Sequence, residues 1–145
     1  MWHDNGRPRR TVIVSGMVAG VPHQGGASWA VLQYVLGFKR LGCEVYLIEP
    51  VTAESLRPAG TSLTASDNAA YFRDLAATFG LEQGSALVLA GSEQTVGLSY
   101  DELREVASRA HLLVNIAGML TDEALTASIP VRAYLDLDPA FSQLW

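Results

Sequence analysis

The chain has 145 residues, 49% of them hydrophobic and 17% charged, with a formal net charge of −5. That length suits one domain with an adequate core, and the acidic balance argues against non-specific nucleic-acid binding, because the only basic run is Arg7-Pro8-Arg9-Arg10. A single cysteine, Cys43, excludes an internal disulfide and leaves no cysteine cluster for zinc, which fits a reducing compartment.

Residues 1–10 are polar and carry Gly6 and Pro8, so they read as a loose leader to a single domain over 11–145. Three arginines followed by TVIVSGMVAGV imitate a secretory signal. The apolar run is broken by Gly16 and Gly20 and is far shorter than the ~20 residues that span a bilayer, so a cytoplasmic protein without a membrane span is expected.

Residues 11–15 are a β-branched run suited to a strand buried on both faces. A glycine-rich loop over 16–26 follows, then a predicted helix over 27–41 that stops at Gly42. Trp29, Leu32, Val35, Leu36 and Phe38 recur near helical spacing, which predicts that the helix packs on a sheet through them. Residues 44–48 return as a second apolar strand, completing a βαβ unit whose loop lies at the carboxyl end of the first strand. The polar stretch from 50 to 66 exceeds the usual loop length and reads as mobile or functional.

A second helix is predicted over 67–79, capped by Asp67 or Ser66 and ended by Gly80. Residues 86–90 read as a third strand. Ser99 and Glu102 have the spacing of a capping box and open a third helix that ends near Ala110. Residues 112–116 form a fourth strand, with Ala117-Gly118-Met119 as its carboxyl turn; Thr121 would cap a short helix, and residues 131–137 form a fifth strand entered through Pro130. This alternation predicts an α/β, Rossmann-like three-layer sandwich: a parallel sheet of five or more strands, covered on both faces, in the order 3-2-1-4-5 by analogy with other such folds.

Candidate chemistry gathers at the carboxyl ends of these strands. The loop spacing, Gly16-x-x-x-Gly20 and then Gly25-Gly26, matches neither the G-x-G-x-x-G of dinucleotide binders nor a P-loop. It does carry His23 and Gln24 just ahead of the helix, where they present either a base and a hydrogen-bonding amide or a merely solvated pair. Gly25 and Gly26 would leave the first helical N–H groups open to a ligand. On a strand, Asp136 and Asp138 share a face; the pair could hold a metal, as DxD does in GT-A-type sugar transferases, or simply line a cleft and end the strand at Pro139. Gly118 and Asn115 end the fourth strand, where a small residue lets a ligand approach the backbone. Glu49 ends the second strand, a place where some α/β folds bind a ribose hydroxyl, but here without the matching glycine fingerprint. His111, Cys43, Trp29 and Trp145 read as structural.

The stretch VIVSGMVAGVPHQGGASWAVLQYVLGFKRLGCEVYLIEP resembles the opening of GT-B glycosyltransferases: a strand, a glycine loop, a helix ending in LxxxGHEV, and a second strand. Residues 38–45, FKRLGCEV, are similar to that ending, with Cys43 in place of the more usual histidine. VRAYLDLDP, over 131–139, is similar to a late strand in the amino-terminal domain of bacterial members. The resemblance implies the acceptor-side domain of an enzyme moving a sugar from a nucleotide-sugar to an acceptor hydroxyl. It also implies a small-molecule acceptor, a carboxyl-terminal donor domain beyond the apolar ending FSQLW, and no cofactor or metal. In some members a histidine in the loop after the first strand is the general base, a part that falls here to His23, with Gln24, Gly25, Gly26, Gly118, Asp136 and Asp138 as substrate-binding positions. The alternative from another class is a non-catalytic Rossmann-like module that binds a nucleotide or a protein. Homo-oligomer formation is left open.

Overall fold

The computed structural model describes residues 8–23 and 25–136. In chain order they form β1 (Thr11–Ser15), α1 (Gly25–Arg40), β2 (Glu44–Val51), α2 (Asp67–Phe79), β3 (Ser85–Leu89), β4 (Thr95–Gly97), α3 (Tyr100–Arg109), β5 (Leu112–Ile116), α4 (Glu123–Thr126) and β6 (Val131–Leu135). The architecture is α/β, with one six-stranded and mostly parallel sheet.

Its order is β4-β3-β2-β1-β5-β6, which differs from the expected 3-2-1-4-5 by a strand the sequence does not announce. β4 pairs antiparallel with β3 and closes that edge of the sheet. Three residues are too few to display a period of two. The close pairing depends on Gly97, at φ +94°, where an added Cβ would lie 2.3 Å from the Ser85 carbonyl oxygen. The remaining strands lie side by side and parallel, in the spatial order 85–89, 44–51, 11–15, 112–116 and 131–135.

β1 is central and buried throughout. Its alternate residues supply two cores. Val12 and Val14 join Val31, Leu32 and Val35 of α1 and Phe72 of α2 on one face. Ile13 faces the other, with Leu103 and Val106 of α3 and Leu125 of α4. Helix α1 sits close to the sheet because Gly16 lacks a Cβ, which would stand 2.7 Å from Val31 Cγ2.

The helix ends follow local chemistry. Ser66, not Asp67, caps α2 by accepting from the Ala69 N–H, and Gly80 stops it at φ 68°. Ser99 and Glu102 form the full capping box on α3. The cap of α4 is Asp122 rather than Thr121, its carboxylate accepting from the Ala124 N–H.

One expectation is corrected. Trp29 does not pack on the sheet: it is 53% exposed, because Ser28, Val31, Leu32 and Val35 already fill the inward face of α1. The long stretch between β2 and α2 contains a 3-10 turn at Ala53–Ser55 and buries Leu56 and Leu63. The sheet is covered on both faces as expected, by α1 and α2 on one and α3 and α4 on the other, with Val131 and Tyr134 of the edge strand β6 left 57% and 62% exposed. No helix among the described residues is long and apolar enough to cross a membrane.

Candidate functional site

Parallel pairing puts the carboxyl ends of β1, β2, β3, β5 and β6 on one rim. The loop after β1 is fastened there by the residue that ends the apolar core of β2. Glu49 is 0% exposed. The Ala19 N–H donates to both of its carboxylate oxygens, at 2.8 and 3.0 Å, and the Gly20 N–H donates to Oε2 at 2.7 Å. Burial raises its pKa to about 7, against the downward pull of the Ala19, Val18 and Gly20 amides. Thus the carboxylate that some α/β folds turn toward a ribose is here turned onto its own loop.

Asn68, in the first turn of α2 and 0% exposed, holds the same loop from the other side. Its Nδ2 donates to the Ala19 carbonyl at 2.7 Å and to the Ser55 carbonyl at 3.3 Å, while Oδ1 accepts from the Arg57 N–H at 2.9 Å. One amide therefore ties together the loops after β1 and β2. Ser28 of α1 donates to the Val18 carbonyl at 3.3 Å and shares a 2.9 Å hydrogen bond with the Tyr71 hydroxyl. Val18 and Ala19 are consequently buried, while Met17 and Val21 on either side are exposed.

His23 emerges from this anchored loop. It is exposed, it has φ +67°, and its ring meets Tyr71 edge-on at 5.0 Å between centroids. A left-handed backbone at a residue with a Cβ costs roughly 1–2 kcal/mol, which the anchored loop has to supply. Gly25 and Gly26 are the first two residues of α1 rather than part of the preceding loop, and an added Cβ at either would meet nothing within 4 Å. Neither glycine is required by the packing of the chain itself.

The other candidates lie further along the rim. Gly118 follows β5 at φ +65°, but the space above it is filled by Tyr134, whose Cε2 would be 2.7 Å from an added Cβ. Asn115 is engaged locally, donating to the Leu120 carbonyl at 2.9 Å and accepting from the Leu120 N–H at 3.1 Å. Asp136 follows β6 directly. Gln24 and Asp138 lie outside the described residues, and no group of three or more potential metal ligands occurs among the described ones. His111 sits at the opposite end of the sheet, where Nδ1 accepts from the Thr11 N–H at 3.0 Å.

Sequence reasoning located the loop and the histidine but missed Asn68 and gave Glu49 no partner in the loop. The available signal was a lone acid in the apolar run YLIEPV: a carboxylate so placed needs donors, and the nearest are loop amides. Comparison with known proteins leaves the site to be argued from its own residues, because the chain matches no family model, no curated protein and no solved structure.

Proposed function

We propose that the chain forms the acceptor side of a GT-B-type glycosyltransferase, moving a sugar from a nucleotide-sugar donor to an acceptor hydroxyl. One observation carries the reading: a rim loop held by the buried Glu49 and Asn68 ends in an exposed histidine beside a helix start left open by two glycines. In this role His23 takes the proton of the acceptor hydroxyl while that oxygen attacks the anomeric carbon. The nucleoside diphosphate leaves with the electron pair of the broken bond. Gly25 and Gly26 let the acceptor approach the helix backbone. Glu49 and Asn68 do not touch the acceptor; they are positioning residues, fixing the loop before the reaction so that little orientational freedom remains to be lost.

The test uses the product of the full-length gene and a panel of UDP-, dTDP- and GDP-linked sugars, with His23→Ala as the variant. A general base contributes about 10²–10⁴-fold, so turnover should fall by that factor while donor affinity stays level. Unchanged turnover in His23→Ala removes that residue from the mechanism. Binding of a nucleotide or protein with no transfer from any donor would replace the enzyme reading with a non-catalytic module.

A further inference from the structure

A second concavity opens on the same rim but on the opposite face of the sheet. Glu49 and Pro50 are neighbours on β2, so one turns toward the anchored loop and the other lines this cavity of about 460 Å³. The volume lies in the range of small-molecule sites. Its floor is apolar, made of Val88 from β3, Leu120 after β5 and Leu125 from α4, all buried. Its polar wall holds Tyr100, Asp122 and Glu93, and none of its lining residues is a lysine or arginine.

We propose that this cavity binds a small amphipathic amine, with its apolar body against the partly exposed Pro50 and Met119 over the buried Val88, Leu120 and Leu125, and its protonated nitrogen at Asp122 and Glu93 beside the Tyr100 ring. The Tyr100 hydroxyl donates to Asp122 Oδ2 at 2.7 Å, and the Ala124 N–H donates to Oδ1 at 3.0 Å. These bonds hold the carboxylate still and leave it lone pairs for a further donor. The phenol remains a donor over the working pH range, because the Asp122 hydrogen bond, with burial, pushes its pKa up to about 12. A cation also gains from the face of the aromatic ring. Phosphates and carboxylates are disfavoured, since two acids and no lysine or arginine line the cavity. The inference does not depend on the transferase reading.

Backbone amide NMR of the whole chain tests it, with 2-phenylethylamine, the uncharged 2-phenylethanol and the oppositely charged phenylacetate as probes. The amine should shift Val88, Tyr100 and Leu125 with a Kd of about 1 mM or tighter, at least about tenfold tighter than the alcohol, with phenylacetate silent. Asp122→Asn keeps an acceptor for Ala124 and should weaken the amine by about tenfold. Should that variant fail to fold, the exposed Glu93→Gln serves, with a loss of about threefold expected. Equal affinity for amine and alcohol overturns the proposal. So does binding of phenylacetate as tight as that of the amine, or an absence of shifts at the cavity.

Discussion

The buried carboxylate that fastens the rim loop should make stability depend on pH in a way specific to one residue. Glu49 has an ordinary value of 4.5 and a folded value of about 7, with burial as the main cause. A carboxylate raised in the folded state contributes stability that is fully present below 4.5 and is lost as pH rises through about 7. At about 1.36 kcal/mol per pH unit, that interval sets a ceiling of about 3 kcal/mol on the loss. Glu49→Gln removes the titration. It also places an NH₂ group where the Ala19 N–H now finds an oxygen at 2.8 or 3.0 Å, a donor facing a donor. That defect costs about 1–3 kcal/mol and does not vary with pH. Urea unfolding of wild type and Glu49→Gln from pH 4.5 to 8 separates the two effects, because all other titrations cancel in the difference. The variant should be the less stable protein at the acid end, and the gap should close by up to about 3 kcal/mol on the way to pH 8. A gap that stays constant across the range would refute the reasoning, since it would mean that Glu49 titrates alike in the folded and unfolded chains.

Two substitutions elsewhere check the packing. Gly118→Ala meets both a left-handed backbone and the Tyr134 ring, so it should lower stability by about 1–3 kcal/mol; adding Tyr134→Ala should restore the steric share but not the backbone share, and full restoration in thermal melts would count against a backbone cost. Ser15 is 0% exposed and its Oγ finds no hydrogen-bond partner among the described residues, so Ser15→Ala should leave stability unchanged or raise it by up to ~1 kcal/mol; a loss larger than that in denaturant unfolding would reveal a partner for the hydroxyl.

Most of the scaffold was legible from local pattern. The β-branched run at 11–15, the capping box at Ser99 and Glu102 and the helix stop at Gly80 each encode their structure within a few residues, and each element forms. Where sequence reasoning slipped, packing rather than local pattern decided the outcome. Trp29 has helical spacing with core residues, yet a helix has one inward stripe, and Ser28, Val31, Leu32 and Val35 occupy it. β4 is visible only as a partner of β3, since a strand of three residues has no period of its own. At the candidate site, His23 and the glycines could be named from their place after a strand, because parallel sheets put such loops on one rim.

Sequence alone thus determined that apolar strands and capped helices would alternate and that a glycine loop bearing His23 would follow the first strand. Tertiary structure alone decided which groups hold that loop, because the Glu49 and Asn68 hydrogen bonds to Ala19 cross 30 and 49 residues of chain. Local pattern cannot foresee such bonds. A buried carboxylate or amide takes whatever donors and acceptors the fold brings within about 3 Å, and that is settled only when strands and helices pack.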